Sequence, residues 1–306
     1  MDPKEHYKAG YAALIGEPNV GKSTLLNALL KQKISIVANK PQTTRQRVLG
    51  IASAESYQIV FLDTPGIIEP KYMLQREMMK HSGRALEEAD VIVALADAYN
   101  EGKLPDVVQS ALAPFVKKKP ILLVLNKIDL LENPAIEHLV QKQIETGIYD
   151  GVLPLSALKK KNVDTLEQAL VHLMPEHPPY YPEDIASEHP ERFFAAEFIR
   201  EKIFEKFSEE IPYATAVDIR EFKERETGKT YINADIVVER DSQKGILIGK
   251  NGLALKTLGQ SARKEIELFL QHPVFLELHV TVRKGWRDNP AMMQRFGYRV
   301  EEGKKS

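Results

Sequence analysis

The sequence predicts an α/β chain: a mostly parallel sheet with one antiparallel strand and helices on both faces, followed by a small α+β domain. Three observations predict it. From Tyr11 to about Met174, short apolar runs of strand type alternate with helix-forming stretches, the pattern that covers both faces of a mostly parallel sheet with helices. From Met174 to Pro182, four prolines fall within nine residues, which excludes regular helix or sheet and stiffens the chain. Beyond that segment the order changes to helix, two strands, short helix, long helix and strand. The expected organisation is a first domain at 1–175, a Pro-rich linker at 176–190, and a second domain with its C-terminal tail at 191–306.

Composition sets the outer limits. The 306 residues are 43% hydrophobic and 28% charged, with a formal net charge of −1, so any surface for nucleic acid must be local. Cysteine is absent, which excludes disulfides, thiolate metal sites and a cysteine nucleophile. The eight histidines show no ligand spacing and read as surface or structural residues. Met1–His6 lacks the apolar core of a signal peptide, and no stretch approaches the roughly 20 apolar residues of a membrane span. The missing cysteine is compatible with a cytosolic location. No internal repeat is visible.

The first strand, Tyr11–Ile15, runs into Gly16-Glu17-Pro18-Asn19-Val20-Gly21-Lys22-Ser23 and then into the helix former Thr24–Leu30. Strand, Gly-rich turn and helix start form a phosphate cradle. The two glycines let consecutive N–H groups point at an anion, and the helix N-terminus adds to that field. Lys22 can reach the outer phosphates and the Ser23 hydroxyl can hold magnesium. Glu17, Pro18, Asn19, Val20, Gly21, Lys22, Ser23 and Thr24 are therefore the candidate phosphate-side contacts.

Next comes the polar segment Pro41-Gln42-Thr43-Thr44-Arg45. It offers two threonines as magnesium ligands, Thr44 first and Thr43 close behind. The runs Val48–Ala52 and Tyr57–Phe61, joined by Ser53–Ser56, suit a hairpin that supplies the antiparallel edge strand. Phe61-Leu62-Asp63-Thr64-Pro65-Gly66 follows. Asp63 is placed to hold magnesium through water, and the Gly66 amide to bond a γ-phosphate. Segments such as those around Thr44 and Gly66 are ordered by γ-phosphate and magnesium and released on hydrolysis.

The base is read further along. Ile121–Leu125 is a buried-strand run ending in Asn126-Lys127-Ile128-Asp129, about a hundred residues beyond the phosphate loop. The Asp129 carboxylate can accept both adjacent donors of guanine, which adenine lacks in that arrangement. Lys127 is expected along the base plane, and Asn126 is expected to tie this loop to the phosphate loop. After Val152–Leu155, Ser156-Ala157-Leu158 is positioned for the Ala157 amide to meet the guanine carbonyl. Every one of these motifs falls at the carboxyl end of a predicted strand, where such sheets bind ligands.

In the second domain, Phe194, Phe198, Ile199, Ile203, Phe204 and Phe207 mark a helical stripe within Arg192–Phe207. Strand alternations follow at Thr215–Ile219 and Tyr231–Val238. Ile246–Ile248 leads into Gly249-Lys250-Asn251-Gly252, then a long helix to about Leu270 and the strand Val274–Val282. The two glycines remove side chains so that nucleic-acid phosphates can approach the backbone, and Lys250 supplies charge. Between Lys244 and Arg299, ten Lys or Arg stand against four acids. Arg283, Lys284, Trp286 and Arg287 combine cations with the only tryptophan, a mixture suited to holding phosphates and stacking a base, or to a solvated turn whose Trp packs on the domain.

The five first-domain elements resemble the translation-factor-related GTPases, and Pro18–Thr24 resembles the branch containing Era, EngA and MnmE. The second-domain order resembles the type II KH domain. Together, over about Tyr11 to Arg299, they resemble the Era family; EngA would need a second phosphate loop, and none is present. The resemblance implies GTP hydrolysis with Mg2+ and binding to single-stranded small-subunit rRNA near its 3′ end. It also implies work in 30S assembly in the bacterial cytoplasm, loose contact with the inner membrane face, a monomer, and no DNA partner. In Ras-like relatives a Gln after the Asp-x-x-Gly motif orients the attacking water. Here Ile67 stands there, followed by Ile68, so slow intrinsic turnover is expected from Lys22, Thr44, Gly66 and Asn19. In MnmE the residue matching Asn19 helps hold K+ beside the phosphates; the competing role for Asn19 is to shape the loop. A constitutive RNA-binding module with a purely structural nucleotide domain is the alternative reading of the whole.

Overall fold

The computed structural model describes residues 6–225 and 228–298; Arg299, counted above among the basic residues, lies outside them. The chain forms two compact units. The first takes residues up to Val37, Thr44–Glu69 and Met78–Glu188. The second takes Ala38–Thr43, Pro70–Glu77 and the chain from His189 onward.

The first unit is built on six strands: β1 (Lys8–Gly16), β2 (Val48–Ser53), β3 (Tyr57–Asp63), β4 (Val91–Asp97), β5 (Ile121–Asn126) and β6 (Gly151–Pro154). Their order is β2-β3-β1-β4-β5-β6. All neighbours pair in parallel except β2, which turns back antiparallel on β3 through Ser53–Ser56. The β4 and β5 strands are buried throughout, as strands covered on both faces must be. Helices α1 (Lys22–Leu30) and α5 (Val163–Leu173) pack together against β1 and β3. An apolar cluster joins the strands to Ala85 and Leu86 of α2 (Met73–Glu88), Val108 and Leu112 of α3 (Asp106–Leu112), and Ile136 of α4 (Asn133–Ile144). Register aligns Leu14 with Asp63, Gly16 with Leu95, Asp97 with Asn126 and Leu125 with Pro154. The carboxyl ends of the parallel strands, and the motifs they carry, therefore meet along one rim.

The Pro-rich segment through Glu188 is docked on the first unit. Buried Gln58 is the anchor: its Oε1 accepts the N–H groups of Tyr180 and Tyr181 at 2.8 and 3.0 Å, and its Nε2 donates to Tyr181 O at 2.8 Å. The Ile51 N–H donates to Ala186 O at 2.8 Å, which occupies part of the outer edge of β2. Prolines cannot donate, so the segment uses its carbonyls and the N–H groups between them.

The second unit holds α6 (Glu191–Lys206), β7 (Ala216–Lys223), β8 (Thr230–Val238), α7 (Asp241–Ile248), α8 (Leu253–Leu270), β9 (Val274–Val282) and α9 (Pro290–Arg295). The sheet order is β7-β8-β9, antiparallel then parallel. Phe194, Phe198, Ile203 and Phe204 of α6 are buried, as are Leu258, Ala262 and Ile266 of α8. Within this unit the Lys40 ammonium donates to the carbonyls of Phe204 and Phe207 at 2.5 Å each, placing a cation on the negative end of α6. The Met73 N–H donates to Asp288 Oδ1 at 2.9 Å.

Candidate nucleotide site and nucleic-acid groove

At the end of β1 the chain turns sharply into α1. Gly21 caps that helix with φ 104, and a Cβ there would lie 2.3 Å from Asn126 Nδ2. Only glycine lets the two loops come this close. Asn19 has φ 64 and an exposed side chain. Asparagine tolerates that conformation better than most residues, which gives Asn19 a role in shaping the loop; its part in holding K+ rests on the resemblance alone. The Lys22 side chain curls back, and Nζ donates to Gly16 O at 3.1 Å and Glu17 O at 2.8 Å. Burial lowers its pKa to about 8, opposed by the charges of Asp63 and Glu17.

The three residues read as magnesium ligands converge. Ser23 Oγ donates to Asp63 Oδ2 at 2.7 Å and lies 2.9 Å from Thr44 Oγ1. The two threonines differ in their surroundings: Thr43 Oγ1 donates to Lys40 O at 2.8 Å, while Thr44 Oγ1 is the one beside Ser23. Ser35, which no motif marks, donates to the same Asp63 oxygen at 2.7 Å. Asp63 Oδ1 is buried with no hydrogen-bond partner among the described residues. Burial raises the Asp63 carboxyl above its ordinary range, partly offset by Ser35, Ser23, Lys22 and the Thr64 amide. Two hydroxyls and a carboxylate with an oxygen still open form an all-oxygen donor set that fits a hard divalent cation.

The Asp-x-x-Gly arm lies directly on the phosphate loop. A Cβ on Gly66 would meet Pro18 N at 2.6 Å, and the Ile67 N–H donates to Gly16 O at 3.1 Å. The Ile67 side chain turns away into the apolar core. Ser82 Oγ of α2 donates to Pro65 O at 3.0 Å and holds the arm from behind.

Asn126 bridges three loops. Its Nδ2 donates to Val20 O at 2.8 Å, and its Oδ1 accepts the Ala157 N–H at 3.0 Å. The tie to the phosphate loop is as expected, but the Ala157 amide, expected to face a guanine carbonyl, is engaged by Asn126. Lys127, at φ 68, pairs with Asp97 Oδ2 at 2.7 Å; Asp97 is a site residue the sequence did not mark. The Asp129 carboxylate is exposed and accepts the hydroxyl of buried Ser156. Leu158 is exposed beyond it.

In the second unit the turn between α7 and α8 has positive φ at Gly249, Asn251 and Gly252. A Cβ on Gly249 would sit 2.6 Å from Ala254 Cβ. Lys250 and Asn251 are exposed. Beside them runs a groove of about 420 Å³, lined by Gly252, Leu255, Lys256, Gly259, Gln260 and Arg263 from the helix side and by Leu276 and Leu278 of β9. Gly259 keeps it open, since a Cβ there would already reach Leu278 Cδ1 at 3.4 Å. Sequence reasoning missed this wall, although Leu255, Gly259 and Arg263 recur at four-residue spacing along one helix face.

One expected nucleic-acid contact is corrected, and a second has protein partners. Trp286 is fully buried, donates its indole N–H to Ala214 O at 2.8 Å and packs against Phe296 and Tyr298; it has no face left for a base. Arg287 pairs with Glu239 and lies 4.8 Å from the Tyr72 ring. Arg283 and Lys284 remain exposed. Trp286→Phe should therefore cost about 2–4 kcal/mol of stability through lost packing and an unpaired carbonyl, measured by chemical denaturation, with RNA affinity of the folded protein unchanged. Normal stability with weakened RNA binding would return Trp286 to the interface.

A phosphate loop tied by one asparagine to a loop that ends in a carboxylate belongs to a GTPase domain, and the glycine-flanked turn beside a groove of mixed apolar and polar lining to a KH domain. Family comparison agrees on both: a model described as 50S ribosome-binding GTPase matches residues 11–127, and one described as KH domain matches 210–287. The chain is 45% identical over 298 residues to the chloroplastic GTPase ERA-like protein of Arabidopsis thaliana, covering 97% of this chain and 70% of that one. It is 44% identical over 299 residues to GTPase Era of Geotalea daltonii, covering 96% and 99%. Two solved structures, a variant of Aquifex aeolicus Era bound to GDP·AlF4− and Era in complex with MgGDPNP and nucleotides 1506–1542 of 16S ribosomal RNA, each match at 41% identity and TM-score 0.91. Each match covers 96% of this chain and 100% of the other. The chain belongs to the Era GTPase family.

Proposed function

We propose that this protein hydrolyses GTP slowly and uses the bound nucleotide to govern its grip on single-stranded 16S rRNA near the 3′ end, in assembly of the 30S subunit. The observation that carries the reading is the convergence of Ser23, Thr44 and Asp63 beside Lys22, in a chain whose second unit carries a KH groove. Lys22 opposes charge on the outer phosphates, and the Gly66 N–H bonds the γ-phosphate. Mg2+ held by Ser23, Thr44 and Asp63 would neutralise charge between the β- and γ-phosphates. Turnover is slow because Ile67 offers no group to orient water and its side chain is in the core. Once the γ-phosphate leaves, Thr44 and Gly66 lose their shared partner and the segments carrying them relax.

RNA phosphates approach the turn at Gly249, Lys250, Asn251 and Gly252, with Lys256, Arg263, Arg283 and Lys284 as further cations. Unstacked bases enter the groove against Leu255, Leu276 and Leu278, where Gln260 can read their edges. The proposed place of action is the cytoplasm. Among the described residues no helix is long and apolar enough to cross a membrane. A purely structural nucleotide domain is not favoured, since a relative at 41% identity is known bound to GDP·AlF4−.

Asp129→Asn presents an amide donor to guanine's own donor, so GTP affinity should fall at least about tenfold while xanthosine triphosphate improves. A fluorescent-nucleotide titration checks this, and unchanged GTP affinity would remove Asp129 from the base site. Replacing Lys250 and Asn251 together by Asp puts two negative charges where phosphates approach. RNA affinity should then drop by several kcal/mol with GTP affinity intact, as filter binding would show; retained RNA binding would move the interface elsewhere.

A further inference from the structure

Two segments carry the proposed γ-phosphate contacts, one at Thr44 and the other at Gly66, and neither motif explains what keeps them together. Gln75, buried in the first turn of α2, bonds the chain at a residue near each in sequence. Its Oε1 accepts the Lys71 N–H at 2.8 Å, on the chain that continues from Gly66. Its Nε2 donates to Gln42 Oε1 at 3.1 Å, two residues before Thr44. A carboxamide offers an acceptor and a donor from one planar group, which is what a bridge between two backbones requires. Gln42 itself sits at φ 61, a conformation sparsely populated outside glycine that persists only where surrounding bonds hold it. The neighbouring Thr43 hydroxyl, donating to Lys40 O, closes the same turn from its other side.

We propose that Gln75 is a positioning residue for GTP turnover: with Gln42 it clamps the Thr44 segment to the Gly66 segment, so that both close on the γ-phosphate as one body. The proposal rests on the reading of the site as a GTPase. Clamped segments lose their freedom together, so ordering one by the γ-phosphate lowers the cost of ordering the other. GDP has no γ-phosphate and calls on neither segment, so the clamp is silent in GDP binding.

The test uses the full chain with Gln75→Met, Gln42→Met and the double variant. Methionine keeps length and apolar bulk. Gln42→Met removes only the bond between the segments, while Gln75→Met also frees the Lys71 amide. GDP affinity, GTP-analogue affinity, kcat and KM are measured for each. Expected are unchanged GDP affinity, and analogue affinity and kcat lowered about 3- to 10-fold in either single variant. The double variant should be no worse than Gln75→Met, because one shared bond is being removed. Wild-type values in both single variants would overturn the clamp, as would additive losses, or equal losses of GDP and analogue binding that mark a fold defect. A wild-type chain without preference for GTP over ATP would instead overturn the GTPase reading on which the clamp rests; a guanine-selective wild type with indifferent variants defeats the clamp alone.

Discussion

Asp63 is a carboxylate taken out of water at the end of a central strand, and the site is arranged around that cost. A buried carboxylate is expensive unless other groups satisfy its oxygens. Ser23 from the phosphate loop and Ser35 from the segment after α1 both donate to Oδ2, Lys22 contributes its charge, and Oδ1 is left with no protein partner among the described residues. Thr44 joins through Ser23. Parts of the chain distant in sequence thus meet at one acid, and its open oxygen fits the divalent cation proposed above.

The chain passes from one unit to the other close in sequence to the two residues read as γ-phosphate contacts. Thr44 belongs to the first unit and Thr43 to the second; Gly66 belongs to the first and Pro70 to the second. On the proposed reading, a nucleotide that fixes Thr44 and Gly66 would constrain, through covalent continuity, the residues that precede or follow them in the second unit. No long relay of side chains is needed for the nucleotide state to reach the segments at 38–43 and 70–77.

The fold was largely legible because each layer of signal agreed. Apolar runs of strand length and the Gly16–Ser23 turn indicated a covered parallel sheet, whereas the prolines after Met174 read as a linker and the segment through Glu188 packs with the first unit. Asn126 was legible too, because a side chain between two loops has few other uses. What escaped was whatever depends on facing. Thr43 and Thr44 are adjacent and chemically alike, so only their different backbone directions separate them. Trp286 and Arg287 sit in a basic aromatic turn whose composition suits RNA equally well, yet the indole bonds Ala214 and the guanidinium bonds Glu239. Leu276 and Leu278 read only as residues of the strand Val274–Val282, and their place in a groove wall depends on Gly259 standing opposite. Ser35 and Asp97 carry no motif because they complete the site through partners far away in sequence.

The central claim is that nucleotide and RNA are thermodynamically linked, and the most direct measurement is the affinity of a single-stranded tail from the 3′ end of 16S rRNA for the wild-type protein with GDP and with a non-hydrolysable GTP analogue. The account predicts tighter RNA binding in the analogue state, and tighter analogue binding by the same factor when RNA is present. Identical RNA affinity in the two nucleotide states would contradict it.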